Sequence, residues 1–334
     1  MIAMKRKMKP AKILFGLALL TVFWAAGAGA VSRFSLSHYQ SYRVRQLLEI
    51  VNRGGPVSRL RVQFPLLMTE HLPPYQTLRS FTIAPAAARR EIRLRQSANG
   101  QSAALELGSL PRGGRFLAEF SYTLFNAAID YHLERCGGSD YGDPAFLKPE
   151  AGIEVGDPSL RALAAGLTRG CSNQLEKARR VFAFVNSRLT YDPARPGRHS
   201  AVLAWQRKRG VCTDFSLLYI ALCRTAGVPS RFVAGFRFNP RKMGSAETDL
   251  APYAHAWAES YLPGLGWTVV DPTSLRYQNG ARVADFDFFG RIAADDCHLF
   301  ASFDKDERIN STYIYAAANP ARLQIGLRTT IRKQ

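Results

Sequence analysis

Residues 207–223 read RKRGVCTDFSLLYIALC: a basic stretch, a glycine, then a cysteine opening an almost wholly apolar run. A run of this character, closed downstream by Gly227 and Pro229, predicts a buried helix. A structural cysteine would sit inside it, as Cys223 does. Cys212 instead falls at the helix start, where unpaired backbone N–H groups and the positive end of the macrodipole stabilise negative charge. The same field stabilises a thiolate, which makes Cys212 the candidate reactive thiol. Cys223 lies about 16 Å further along the helix axis, beyond disulfide reach.

A base for that thiol is offered by residues 254–273, AHAWAESYLPGLGWTVVDPT. HAWAESYL and GWTVVD read as two strands joined by Pro-Gly-Leu-Gly. His255, Trp257, Glu259 and Tyr261 share one face of the first; Trp267, Val269 and Asp271 share one face of the second. Pairing Glu259 with Trp267 sets Trp257 opposite Val269 and His255 opposite Asp271. Directly opposed residues have Cβ atoms about 4.5–5.5 Å apart, close enough for a carboxylate to hold one imidazole nitrogen. A carboxylate so placed fixes the tautomer and stabilises the imidazolium.

The rest of the chain divides by its periodicity. Residues 1–30 hold Lys5, Arg6, Lys7, Lys9 and Lys12, then ILFGLALLTVFWAA and AGAGA. This pattern is that of an exported signal peptide or, with residues 13–31 retained, of an inner-membrane anchor. Either reading places residues 32–334 outside the cytoplasm, in the periplasm or its equivalent. From 36 to 132 apolar residues alternate (Tyr42, Val44, Leu48, Ile50; Leu60, Val62, Phe64; Phe116, Phe120, Tyr122, Leu124) between Gly/Pro/Asn turns. That predicts an antiparallel β-sandwich of about six or seven strands. Residues 136–334 change period. Asn173 with Glu176 forms a capping box, and Ala178, Val181, Phe182, Val185 and Leu189 mark one helix face. A short helix over 201–209 follows Ser200, then the Cys212 helix, then strands. Helices first and antiparallel strands afterwards make this half α+β.

Charge and cysteine content narrow the partners. Of 19 net positive charges, five fall in residues 1–30, which hold no acid, leaving +14 in the remainder. The basic residues are scattered rather than gathered beside aromatics, so nucleic acid is not expected; an anionic envelope surface fits an exported basic protein better. Five cysteines are an odd number, so at least one thiol stays outside any intramolecular disulfide. Asp285 with Asp287 and Asp295 with Asp296 stand apart from any D-x-D-x-D-G loop, so no metal or other cofactor is expected.

LAWQRKRGVCTDFSLLYIALCRTAGVPSRFVAGF and HAWAESYLPGLGWTVVDPT resemble the core motifs of the transglutaminase-like superfamily, relatives of papain-type thiol enzymes. LEKARRVFAFVNSRLTYD resembles the helix that precedes that core, and the alternating N-terminal region resembles the β-sandwich of exported bacterial members. The resemblance implies a transglutaminase-like core after a sandwich, with Cys212 as nucleophile, His255 as general base and acid, and Asp271 as orienting carboxylate. It implies a thioester acyl-enzyme formed from an amide of a peptide or protein, resolved by water as a peptidase or amidase, or by an amine as a cross-linking transamidase. Gln206 or Trp205 is implied as a second oxyanion donor, and Tyr191 and Trp257 as cleft lining. A non-catalytic envelope scaffold is the alternative from a different class.

Overall fold

The computed structural model describes residues 32–194, 198–274, 276–278, 281–305, 313–317 and 322–334. The leader over residues 1–30, with either of its readings, lies outside them. Among the described residues no helix is long and apolar enough to cross a membrane.

The alternating region folds into β1 (Phe34–Asn52), β2 (Val57–Leu66), β3 (Gln76–Ala84), a short α1 (Ala86–Arg90), β4 (Ile92–Gln96), β5 (Gln101–Leu110) and β6 (Arg115–Tyr131). Every second residue of β1 from Tyr42 to Ile50 is buried. One of these is polar: the Gln46 side-chain carbonyl accepts from Leu67 N–H at 3.0 Å and from the Tyr122 hydroxyl at 2.9 Å. Its buried oxygen is thereby satisfied, while its Nε2 has no partner among the described residues.

The second half supplies α2 (Pro158–Thr168), α3 (Gln174–Arg188), β7 (Thr190–Tyr191), α4 (Ala201–Arg207), β8 (Arg209–Gly210) and α5 (Cys212–Thr225). Then follow β9 (Ser230–Phe238), β10 (Thr248–Asp249), β11 (Ala254–Leu262), β12 (Gly266–Val270), β13 (Arg276–Gln278), β14 (Ala281–Val283), β15 (Arg291–Ile292), β16 (Cys297–Ser302), β17 (Ile314–Ala316) and β18 (Leu323–Lys333). On α3 the Asn173 cap accepts from Glu176 N–H at 2.9 Å, while the Glu176 carboxylate reaches back one residue further than expected, to Ser172 N–H. Ser200 caps α4 by accepting from Leu203 N–H.

Two sheets face one another over one core. A six-stranded sheet runs β10-β18-β1-β6-β15 with β3 also on β6, and a four-stranded sheet runs β17-β2-β5-β4. The C-terminal strand β18 pairs along β1 from Tyr42↔Lys333 to Asn52↔Leu323, so the sandwich is built from both ends of the chain. Contacts join Arg33–Gln334 into one compact unit.

A separate antiparallel sheet, β12-β11-β9-β16, carries α5 on one side. Tyr219 of α5 bonds Ser260 of β11 at 2.8 Å, and Ser260 bonds Ser230 of β9 at 2.9 Å. This buried hydroxyl chain fixes the helix over the two central strands. Strand β16 serves two cores by alternation: Cys297, Leu299 and Ala301 face the sandwich core, while Phe300 joins the α5 core. All five cysteines are free thiols, and the two buried ones, Cys223 and Cys297, belong to different cores.

Where β9 passes between its neighbours, Gly235 opposes both His255 and Phe300. A Cβ there would overlap the Leu299 carbonyl oxygen and crowd the Trp257 ring. Gly235→Ala is therefore expected to cost about 1–3 kcal/mol, the usual penalty of overpacking. Chemical denaturation checks this; an unchanged midpoint would mean that Trp257 and β16 yield without cost.

Candidate active site

Cys212 is the first residue of α5, and the turn that presents it is held by one carboxylate. Asp214, 5% exposed, accepts from Val211 N–H at 2.9 Å, closing the helix start from its third position. Its other oxygen accepts from His199 Nδ1 at 3.0 Å. The Asp214 side chain occupies the space that a Cβ on Gly210 would need, which explains the glycine two residues before the thiol. Tyr191 is brought alongside by the parallel pairing of β7 with β8, Tyr191↔Gly210.

His255 and Asp271 come together through a register different from the expected one. Glu259 opposes Val269 and Tyr261 opposes Trp267, a shift of two residues. The cause is the turn, which runs from Leu262 to Gly266 with Leu265 N–H on Leu262 O and with Gly264 and Gly266 at positive φ. A shift of two preserves side-chain facing, since the strand period is two. His255 Nε2 accordingly donates to Asp271 Oδ2 at 2.8 Å. This leaves Nδ1 for the Cys212 thiol, and each of the two groups favours the charged form of the other.

The electrostatics follow from these contacts. Burial pushes the Cys212 thiol up, but the His255 hydrogen bond and charge, with Ala256 N–H, outweigh it and leave the thiol below its usual value. Burial also disfavours the His255 cation, yet the Asp271 charge and hydrogen bond, then Cys212, raise its pKa to about 10. Asp271 is only 1% exposed, and burial alone would raise it; His255, His298 and Arg237 hold it well below the usual carboxylate range. The favoured state is a thiolate beside an imidazolium.

Three further residues complete the site, and none of them stood out from the sequence. Arg237 Nη1 donates to Asp271 Oδ2 at 3.1 Å and to Ser274 Oγ at 2.8 Å, while its Nε and Nη2 clasp Asp296. His298 Nε2 lies 3.2 Å from the same Asp271 oxygen. Asn186, wholly buried on α3, donates to Pro272 O at 3.0 Å and to Ser274 O, and accepts from Asp285 N–H. It thereby pins the turn after Asp271. A histidine inside the apolar run CHLFAS and an asparagine on the buried face of α3 were the available signals.

The expected cleft residues divide. Tyr191, 40% exposed, lines with His255, Arg237 and Thr273 a cavity of about 340 Å³. Trp257 does not line it. It is wholly buried, stacked beneath His255 at 6.1 Å, because His298 of β16 meets its ring at 5.0 Å and Tyr75 packs against it on that face of β11. Trp205 is half-buried against Phe184 with the Lys208 ammonium over its ring, and Gln206 is exposed on α4. Neither has a hydrogen bond to the site among the described residues.

His255, Asp271 and His298 place their ligand atoms within 4.8 Å of one another, a spacing that a metal ion can bridge. The Arg237 guanidinium on the same carboxylate oxygen opposes a second cation there. The donor set fits a hydrogen-bonded carboxylate better than a metal centre.

Residues 161–272 match the model of the transglutaminase-like superfamily. The segment that carries Cys212, His255 and Asp271 belongs to that superfamily. The chain is similar to the uncharacterized protein YebA of Bacillus subtilis, at 30% identity over 34% of this chain and 17% of that protein. It is also similar to the uncharacterized protein ML0607 of Mycobacterium leprae, at 34% identity over 38% of this chain and 44% of that one. The chain thus spans less than half the length of these curated relatives. The fold is shared with a solved structure from Cytophaga hutchinsonii, described as a candidate cysteine protease. The TM-score is 0.53 at 17% identity, over 90% of this chain and all of that one.

The depressed thiol is directly testable. Iodoacetamide at about pH 6 is expected to alkylate Cys212 well before the other cysteines. Burial raises the Cys136 thiol, pushes Cys223 up to about 12 and carries Cys297 well above its usual value. The rate should climb with thiolate and reach its midpoint below the ordinary thiol value of about 8.5. Equal labelling of all accessible thiols, read by peptide mass mapping, would remove Cys212 from consideration as a nucleophile.

Proposed function

We propose that the protein is an exported thiol hydrolase that cleaves amide bonds of peptides or proteins through Cys212, His255 and Asp271. One observation carries the reading: a helix-start thiol whose charge is favoured by a histidine that donates from Nε2 to a buried carboxylate at 2.8 Å. Nucleophile, base and orienter then stand in the order that acyl transfer requires. Export rests on the basic and apolar leader and is checked by fractionation of cells expressing the full chain.

The Cys212 thiolate attacks the amide carbonyl carbon, and the carbonyl oxygen takes the negative charge. Donors for it are backbone N–H groups at the start of α5 and the Tyr191 hydroxyl at the cavity rim, whose proton is held by burial and by the nearby Cys212 and Asp271 charges. His255 passes its Nδ1 proton to the amine as the C–N bond breaks, leaving a thioester and a neutral imidazole. Water then enters, His255 takes its proton, and hydroxide attack on the thioester releases the acid and restores the thiolate–imidazolium pair. The half-exposed rim at Tyr191 gives water a route to the thioester, which favours hydrolysis over transfer to an amine.

The pH dependence has a definite sign. Turnover should rise as the thiol ionises below its ordinary value and fall as His255 loses its proton around pH 10, since neutral imidazole cannot protonate the leaving amine. Cys212→Ser should abolish turnover while preserving the denaturation midpoint. His255→Ala should do the same, and Asp271→Asn should leave weak activity because the tautomer is lost but the base remains. The assay is cleavage of envelope peptides and proteins with an amine label present. Label incorporation in place of cleavage would assign transamidation, and full complementation of a deletion strain by Cys212→Ser would assign a scaffold.

A further inference from the structure

The reaction above makes no use of His298, although it is 1% exposed and sits in contact with the site. It lies on β16 opposite Arg237 of β9. Its Nε2 is 3.2 Å from Asp271 Oδ2, the oxygen that His255 reaches at 2.8 Å and Arg237 at 3.1 Å. Asp271 Oδ1 is taken by Thr273 N–H at 3.0 Å. A carboxylate oxygen accepts, so His298 Nε2 carries a proton. Its Nδ1 has no hydrogen-bond partner among the described residues, the Asp296 oxygen standing 3.9 Å away.

A buried ring nitrogen without a partner carries a desolvation cost, and an apolar side chain of similar size would avoid it. The surroundings would accept one, since the ring edge meets Trp257 at 5.0 Å. Packing therefore does not require a histidine here, whereas Asp271 does. The backbone is equally fixed: Asn126 of β6 donates to His298 O at 3.1 Å and accepts from the Cys297 thiol at 3.3 Å. The imidazole is thus delivered to Asp271 by a strand anchored in the sandwich.

We propose that His298 is a positioning residue: its Nε2–H donates to Asp271 Oδ2, sets the rotation of the carboxylate, and so keeps His255 Nδ1 turned to Cys212. Without that donor the carboxylate is free to turn toward Arg237 and Thr273, and the His255 ring loses its fixed partner. This rests on the roles proposed for Cys212, His255 and Asp271, but thiol reactivity reads it without requiring turnover. The charged and titratable groups that face the cluster are Cys212 on α5, Tyr191 on β7, Arg237 on β9, His255 on β11, and Asp296 before β16.

The experiment follows iodoacetamide alkylation of Cys212 by intact mass between pH 5 and 10 in the full chain, with kcat and KM measured on any substrate found. His298→Leu should slow alkylation at pH 6 roughly tenfold, the effect of losing one hydrogen bond to a charged group, and move the midpoint toward an ordinary thiol. It should lower kcat with little change in KM. His298→Gln, whose amide N–H reaches the place of Nε2, should restore most of the wild-type profile, and the shorter His298→Asn should not. A wild-type profile in His298→Leu overturns the proposal. If the leucine variant does not fold, equal profiles for the glutamine and asparagine variants overturn it instead. A wild-type protein with the depressed thiol but no turnover on any amide counts against the proposed function alone.

Discussion

A single buried anion, the Asp271 carboxylate, organises this molecule. Burying a charge is costly unless it is paired and hydrogen-bonded, and Asp271 meets that condition from every side. Two imidazoles and a guanidinium converge on one oxygen, and a backbone N–H takes the other. Arg237 in turn needs Asp296, and the turn that carries Asp271 needs Asn186 of α3. Each of these partners comes from a different element. The requirement to satisfy one carboxylate therefore ties α3, β9, β11, β12 and β16 to a common geometry, and His255 takes its orientation from the result.

The thiol is set by a second anion with a different task. Asp214 shapes the start of α5 by accepting from Val211 N–H, and it is shielded by His199 and by the absence of a side chain on Gly210. The two carboxylates do not compete. One fixes where the sulfur is, and the other fixes which protons surround it. The hydroxyl chain from Tyr219 through Ser260 to Ser230 keeps the helix and strands in register between them.

Much of this was legible in the sequence because it rests on local periodicity. The alternation of Tyr42, Val44, Leu48 and Ile50, the caps at Asn173 and Ser200, and the thiol at a helix start are short-range signals, and the structure places them accordingly. Residue parity put His255 and Asp271 on one face, and parity survived an error of two in the register. What periodicity does not encode is sheet order. His298 and Arg237 reach Asp271 only because the strands run β12-β11-β9-β16, out of sequence order. Trp257 shares parity with His255, yet His298 and Tyr75 cover it. Parity gives the face of a strand, but not where along that face the cover ends.

Strand β16 shows what this arrangement means for anyone who would move the site elsewhere. Its odd-numbered residues are part of the sandwich core while His298 reaches the thiol's partner, and Asn126 of β6 grips its backbone. The α5 helix and its four strands are consequently not a transplantable cassette. Grafted without the sandwich, they would keep the sulfur and the imidazole but lose the wall that holds the carboxylate's second histidine in place. A substitution at Leu299, on the far side of the sheet from the cleft, should then be felt as altered nucleophilicity rather than as altered substrate fit.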